Sequence, residues 1–328
     1  MSAFSRGAVG LCLALVWAGA QPGCSRKASG RDATASAHLP AGCDLVARVD
    51  LKTLLESDAV KGHVTELKTG QGAEASKGRA ALTDFLRAAQ IDPAKDLREA
   101  AICLRRVAAD SEGARPVRQL IALSGQLHQH KLLEALAARA PAGQYEPVHL
   151  PGIEAVRRKG GRLFAQASDG TILITDDKDL LVDARDPGNR YVAYALGAGE
   201  VSLTANHAVL SSLAGNGPQH PFATLLGQAD RIDIQMQARD SVLRATLQMA
   251  SPQQAVQSER RLTDFLAMLR EGPGHDRLAQ LMPAGVFEAL GATKISQAEN
   301  KTLVQTQLPK AALEELFHRV AMIGALGT

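Results

Sequence analysis

The stretch from Ala229 to Gly272 decides the fold, and it reads ADRIDIQMQA (229–238), RDS (239–241), VLRATLQMA (242–250) and SPQQAVQSERRLTDFLAMLREG (251–272). Apolar and polar residues alternate in the first and third segments, and side chains two positions apart share one face of a strand. The three polar residues between these segments predict a turn. We therefore predict a β-hairpin with one apolar face and one solvated face.

An amphipathic helix is predicted directly after this hairpin. Ser251 is a favourable N-cap, Pro252 suits the first helical position, and Gln254 would complete a capping box. Gly272 can end the helix. The apolar residues at helical spacing lie on one stripe: Ala255, Leu262, Phe265, Leu266 and Leu269. The hairpin and the helix form a unit that must bury its apolar surface.

The same order of elements is predicted twice along the chain. Each half opens with a strand and a helix, at 44–57 and 200–213, and continues with two strand pairs, each followed by a helix. We predict an α+β fold that duplicates a module of antiparallel β-hairpins, each followed by an amphipathic helix, with the sheets backed by helices. One repeat opposes this alignment, because LTDFL occurs at 82–86 and 262–266, in helices that do not correspond.

Composition excludes some classes of protein. The chain has 328 residues, of which 45% are hydrophobic and 22% charged, and this rules out wholesale disorder. A net charge of +3 is too balanced to indicate a nucleic-acid partner. The single tryptophan, Trp17, lies in the N-terminal leader, which argues against a sugar site built on indole rings.

The leader is predicted to be a signal peptide, since Arg6 precedes an apolar run, Ala8–Ala20, that is too short for an ordinary membrane span. Two cleavage sites remain open. Ala18–Ala20 is an A-x-A site, after which the chain would start at Gln21. Gln21–Cys24 resembles a bacterial lipobox, in which the cysteine becomes the lipidated first residue, although Gln21 replaces the usual aliphatic residue.

The cysteine count favours lipidation of Cys24. If Cys24 carries a lipid, Cys43 and Cys103 remain as an even pair and are a candidate disulfide in an oxidising compartment. In a secreted chain without the lipid, one of the three cysteines would have no disulfide partner. The polar residues after Cys24 suit a flexible tether. The predicted domains are a signal peptide (1–23), a tether (24–40), a first α+β module (41–190) and a second (191–328).

Two short stretches, LPAGCDLVARVDLKTLL (39–55) and IDPAKDL (91–97), resemble uncharacterised α+β lipoproteins of Gram-negative envelopes. This resemblance implies no known activity and no functional residues. Ser25, rather than Asp, follows Cys24, and resemblance to bacterial lipoproteins in general therefore implies the outer membrane.

Two clusters are weighed as metal sites. His128 and His130 could share a face, but no third ligand is apparent. The acidic cluster (Asp176, Asp177, Asp179 and Asp183) lacks the central Gly and distal Glu of an EF-hand. We predict no metal site, and we interpret the acidic cluster as an N-cap with acids at the positive end of a helix.

Four basic residues, Arg157, Arg158, Lys159 and Arg162, surround a predicted Gly-Gly turn and form a basic hairpin tip. Such a tip is either a solvated turn or a contact for anionic lipid headgroups.

Common catalytic motifs are missing from the sequence, so we predict no enzyme and no cofactor.

The predicted function is a membrane-anchored envelope lipoprotein that acts as a non-enzymatic binding or assembly module. Its expected partners are the membrane, through the lipid anchor, and an envelope protein. The alternative is a carrier or sensor of a hydrophobic ligand such as lipid, and a hydrolase is third. The expected location is the outer membrane, on the periplasmic side or at the cell surface, with a secreted soluble protein as the alternative.

Overall fold

The computed structural model describes residues 34–56, 91–106, 117–127, 133–134, 145–159, 161–186, 200–209, 228–237, 241–271, 289 and 291–309. These residues form a mostly antiparallel β structure of twelve strands with a few helices, which is an α+β fold. They fall into two compact units. The N-terminal unit takes its residues from 34–55 and 91–186, and the C-terminal unit from 56 and 200–309. The predicted module boundary at 190–191 lies outside the described residues.

The N-terminal unit contains seven of the described strands in the order β1-β2-β3-β7-β6-β5-β4, and each neighbouring pair is antiparallel. Its elements are a 3₁₀ helix (Ala35–His38), β1 (Leu45–Asp50), α1 (Leu51–Glu56), α2 (Pro93–Asp96), β2 (Leu97–Arg106), β3 (Val117–Gly125), β4 (Tyr145–Leu150), β5 (Ile153–Arg158), β6 (Leu163–Gln166), β7 (Ile172–Thr175) and α3 (Lys178–Ala184).

The core of this unit surrounds β7, in which all four residues are buried. A strand buried on both faces must be covered from both sides, and its sequence then reads as a continuous apolar run rather than an alternation. The rings of Tyr145 and Phe164 meet edge-to-face with centroids 6.0 Å apart. Phe164 belongs to a buried cluster with Val156, Ile172 and Ile174.

Strand β4 is longer than the sequence predicts. The sequence predicts a short strand at Val148 only. The structure extends β4 over Tyr145–Leu150, with Pro147 opposite Val156. The strand lies at the end of the strand order, and an edge strand tolerates a proline because one side of its backbone needs no partner.

Gly125, the last residue of β3, is required by a close backbone approach. A Cβ at this position would lie 1.9 Å from the carbonyl oxygen of Asp96. That carbonyl also accepts a hydrogen bond from the backbone N–H of Gln126, at 2.7 Å. Any larger residue at position 125 would push β3 away from the end of α2.

The C-terminal unit contains five described strands in the order β8-β9-β10-β12-β11, again antiparallel at each neighbouring pair. Its elements are β8 (Val201–Asn206), β9 (Ala229–Gln237), β10 (Val242–Met249), α4 (Pro252–Glu271), β11 (Lys294–Ala298) and β12 (Lys301–Gln307).

The hairpin predicted from the alternating residues is confirmed as β9 and β10. Its apolar positions pair across the strands, with Ile232 opposite Leu247, Ile234 opposite Ala245 and Met236 opposite Leu243. Cross-strand partners share one face of the sheet, so these residues form the apolar face. Thr302, Val304 and Thr306 of β12 continue that face.

Helix α4 is also confirmed. The backbone N–H of Gln254 donates to the Ser251 hydroxyl at 3.3 Å, which is the N-cap bond. The expected capping box is only half formed, because the Gln254 Oε1 is buried without a hydrogen-bond partner in the described structure. The predicted second half, in which the Gln254 side chain would accept from the N-cap backbone, was wrong. Ala255, Leu262 and Leu266 are buried as predicted.

Candidate functional site

The most elaborate polar site described in the N-terminal unit is built around the strap, by which we mean Ala35–Cys43. Ala35, His38, Leu39 and Cys43 are each at most 1% exposed. The strap overlaps the last six residues of the predicted tether (24–40), and the structure therefore corrects that boundary: the buried chain begins at Ala35. Its burial therefore shows where the chain enters the folded unit.

The backbone at the start of the strap is held by side chains of two strands. The Ala35 N–H donates to the hydroxyl of Ser124 on β3 at 2.9 Å, and the Ser36 N–H donates to Oε1 of Glu99 on β2 at 2.8 Å. The first N–H groups of a helix have no partner within it, so these bonds satisfy donors that would otherwise be orphaned.

Glu99 is 5% exposed, and a buried carboxylate requires a cation or several donors. Its second oxygen accepts a hydrogen bond from the Arg48 Nε at 2.8 Å, across the β1–β2 pairing. Glu99 therefore links β1, β2 and the strap in one charged network. Charge-assisted bonds of this kind are stronger than bonds between neutral groups.

His38 closes the other side of the strap. Its side chain is fully buried, its Nδ1 lies 2.7 Å from the carbonyl oxygen of Ala184 at the end of α3, and its Nε2 lies 2.7 Å from Oδ2 of Asp169. A carbonyl and an ionised carboxylate can only accept. Both ring nitrogens of His38 therefore lie within hydrogen-bond distance of an accepting oxygen, and the ring is held from two sides.

Asp169 lies in the turn between β6 and β7 and is 18% exposed. Burial alone would raise the pKa of Asp169. Hydrogen bonds from His38 and from the Thr171 backbone outweigh that effect and lower the pKa below its ordinary value of 3.8. Asp169 therefore stays ionised at neutral pH. The Thr171 N–H contact measures 2.9 Å, and it fixes the carboxylate in the turn.

The pair of His38 and Asp169 is arranged for structure rather than for catalysis. In a Ser-His-Asp triad one imidazole nitrogen faces the carboxylate and the other faces the nucleophile. Here the second nitrogen faces a backbone carbonyl, so neither nitrogen is left to accept a proton from a substrate. This pair positions the strap against α3 and the β6–β7 turn.

The strap ends at a cysteine pair. The sulfur atoms of Cys43 and Cys103 lie 2.07 Å apart with a Cα–Cα distance of 5.4 Å, which is the geometry of a disulfide bond. The bond joins the end of the strap to the centre of β2 across 60 residues of sequence. The next residue, Asp44, donates its backbone N–H to Leu104 at 2.7 Å and so begins the pairing of β1 with β2.

The acidic cluster serves the helix, as predicted. The Asp177 carboxylate caps α3 by accepting from the backbone N–H groups of Asp179 and Leu180, at 2.8 and 2.9 Å. Arg118 of β3 pairs with Asp177, and Arg105 of β2 lies 3.6 Å from Asp183. These contacts tie α3 to the strands beneath it.

The basic tip (Arg157, Arg158, Lys159 and Arg162) lies where β5 turns towards β6. The Arg158 N–H donates to the carbonyl of Arg162 at 2.7 Å, and the Gly161 N–H donates to that of Arg158 at 2.9 Å. Lys159 and Arg162 are exposed, and the two arginines of β5 are half-buried. The four cations are therefore brought together at one end of the hairpin.

Several predicted residues cannot be placed. Cys24, His128 and His130 lie outside the described residues. The part of the chain that is described contains no group of three or more His, Cys, Asp or Glu side chains that could hold a metal ion. Within the same residues, no helix has both the length and the apolar composition that crossing a bilayer requires.

Reasoning from the sequence missed the polar partners of the strap. In the sequence, Asp169 belongs to a Ser-Asp-Gly turn signal (168–170), which indicates no further role for it. From the sequence, His38 falls in the predicted tether, and Glu99 lies one residue before a predicted strand (100–107) and has no assigned role. The available signal is Glu99 itself, a carboxylate directly before the apolar run 100–104, where a buried charge needs a partner.

Comparison with known proteins gives distant structural likenesses. No protein-family model matches the chain, and no curated protein matches it. Among solved structures, the chain is similar to TP0453 in crystal form III, at 9% identity and a TM-score of 0.46, over 89% of this chain and 100% of that one. For crystal form IV the identity is 9% and the TM-score 0.47, over 87% and 96% of the two chains. A likeness at this level assigns neither a family nor a function.

Proposed function

We propose that the protein is a lipid-anchored module of the bacterial envelope, which binds a protein partner or assists assembly and does not catalyse a reaction. The observation that carries this proposal is the fastening of the strap. Its backbone, its histidine and its cysteine each make a buried bond to a different element of the N-terminal unit. A chain attached at its N-terminus to a membrane needs such a fastening at the point where the tether enters the fold.

The length of the tether suits this role. Thr34, the first described residue, lies ten positions after Cys24, and a chain spans at most about 3.3–3.6 Å per residue. A lipid on Cys24 would therefore keep the strap within about 35 Å of the bilayer. We propose the outer membrane as the location, on its periplasmic side or at the cell surface.

We also propose that the two units are copies of one hairpin–helix module. The support is a strand order that the two units share. Each unit has a single strand that pairs with a first hairpin. The second strand of that hairpin then pairs with the second strand of a later hairpin. This gives β1-β2-β3-β7-β6 in one unit and β8-β9-β10-β12-β11 in the other, with β4 and β5 as an additional hairpin. An experimental structure in which these five strands fail to superpose would refute the duplication.

The intact mass of the chain purified from a Gram-negative envelope tests the anchor. We expect a chain that begins at Cys24 and carries a diacylglyceryl group. Cys24→Ser should lose both the lipid mass and the membrane fraction. Cys12→Ser, which removes a cysteine of the leader, is the matched control and should keep both. An unmodified chain that begins at Gln21 would contradict the proposal.

The partner is tested by quantitative pull-down from solubilised envelopes. We expect the same envelope protein to be recovered with the wild-type chain and with Cys12→Ser, and to be lost with Cys24→Ser, which does not reach the membrane. Recovery that is equal for all three chains would contradict a function that depends on the anchor. The carrier of a hydrophobic ligand and the hydrolase stay predictions from the sequence.

A further inference from the structure

The basic tip carries more positive charge than its described surroundings neutralise. Glu146 of β4 lies opposite Arg157 of β5, and the other cross-strand partners of the two arginines are Tyr145 and Leu163. Among these cross-strand partners only Glu146 is acidic. A net positive charge remains at the end of the hairpin.

Three of these cations make no ion pair or side-chain hydrogen bond within the described part of the chain: Arg157, Arg158 and Lys159. Other arginines of the same unit do make such pairs, as Arg48 does with Glu99 and Arg118 with Asp177. Within the described residues, arginine serves internal pairing elsewhere, whereas these three charges have no such partner there.

The geometry of the hairpin suits an approach along its axis. Arg157 and Arg158 are neighbours on β5, so their side chains project from opposite faces of the strand. At the turn, a Cβ added to Gly161 would meet no atom within 4 Å, so the space around this residue is open. A surface that meets the tip end-on can contact both Arg157 and Arg158. A surface that meets one face of the strand can contact only one of these two arginines.

We propose that the basic tip binds the anionic headgroups of a lipid bilayer. This inference rests on the proposed lipid anchor, which would hold the N-terminal unit near that surface. A hairpin tip is much smaller than the roughly 800 Å² per partner that a stable protein interface buries. Attraction to a charged bilayer needs no such complementary area, since each Lys or Arg near the surface contributes separately.

Vesicle sedimentation with the full chain carrying Cys24→Ser tests the tip without the lipid anchor. The vesicles contain phosphatidylcholine alone or phosphatidylcholine with phosphatidylglycerol. We expect stronger binding to the anionic vesicles, and the ratio of the two partition coefficients removes any contribution of the apolar leader. The triple variant Arg157→Glu, Arg158→Glu, Lys159→Glu should lower the anionic partition coefficient roughly 100-fold. Added salt should weaken the parent's preference.

The matched control reverses three exposed cations of the C-terminal unit, with Arg260→Glu, Lys294→Glu and Lys301→Glu. It changes the net charge by the same amount and should keep most of the preference for anionic vesicles. Equal loss in both triple variants would show a general effect of net charge and overturn the proposal. A parent chain without any preference for anionic vesicles would overturn it as well. Neither result bears on the anchor, which the mass of the wild-type chain tests separately.

Discussion

Replacing Asp169 by alanine removes one partner of the buried histidine and tests how firmly the strap is held. The Nε2–H of His38 and the backbone N–H of Thr171 both lose their acceptor. A buried donor left without a partner costs about 1–3 kcal/mol, and an ordinary hydrogen bond contributes about 1 kcal/mol. Because Asp169 is 18% exposed, water can replace part of the loss. We expect Asp169→Ala to destabilise the protein by about 3 kcal/mol.

Asp169→Asn is the informative control, since the asparagine has the same shape. Its amide can donate to a neutral His38 at Nε2, while the Nδ1–H of that ring still donates to Ala184 and the amide oxygen still accepts from Thr171. The expected loss is below about 1 kcal/mol. The two variants therefore separate the loss of the hydrogen bonds from the loss of the charge.

Acid unfolding gives a second test of the same contact. The pKa of Asp169 is lowered from 3.8 in the folded protein, so its ionised form stabilises the fold at pH values above 3.8. This contribution is lost as the pH falls through the lower, folded-state pKa. We expect the free energy of unfolding of the wild-type chain to fall more steeply below pH 3.8 than that of Asp169→Asn.

Urea unfolding followed by circular dichroism is the assay for both variants, because Trp17 of the leader is the only tryptophan and fluorescence would not report on the fold. A midpoint shift without a change in slope is the expected signature of lost stability. If Asp169→Ala and Asp169→Asn both unfold at the wild-type urea concentration, the pair does not hold the strap, and the reasoning is refuted.

Three further predictions concern other contacts of the fold. Removing the disulfide with Cys43→Ala and Cys103→Ala should cost about 4 kcal/mol in urea unfolding, since it frees a loop of 60 residues, and an equal stability with and without reductant would contradict this. Gly125→Ala should lower the thermal midpoint markedly, because its Cβ would lie 1.9 Å from a backbone oxygen, whereas an unchanged midpoint would show that β3 shifts freely. Ser251→Ala should cost about 1 kcal/mol through the lost N-cap. Gln254→Ala should leave the free energy of unfolding unchanged or raise it. If Gln254→Ala lowered that free energy more than Ser251→Ala does, the capping box would be shown to form.

Local patterns in the sequence predicted the local elements. The alternation in β9 and β10 and the apolar stripe of α4 are set by residues within a few positions of each other, and the structure contains both elements. Asp177 was likewise predicted as an acid at the start of a helix, and it caps α3. Each of these rests on contacts that are short-range along the chain.

The strap could not be predicted in this way. Its 3₁₀ helix has only four residues, too few to show a period. Its partners are distant in sequence, with Ser124 lying 89 residues from Ala35 and Ala184 lying 146 residues from His38. Such contacts are decided by the packing of whole elements. A polar stretch of Ser, Ala and His is therefore predicted to be tether, although its Ala35 and His38 are buried in the fold.

Hydrogen exchange of the strap amides tests most directly whether the chain after the tether is built into the core. Ala35 and Ser36 donate to Ser124 and Glu99, so their amides should exchange as slowly as those of β1, through opening of the unit as a whole. Exchange at the rate of an unstructured peptide would contradict the account. It would mean that the strap is not fastened, and the proposed link between the membrane and the N-terminal unit would lose its structural basis.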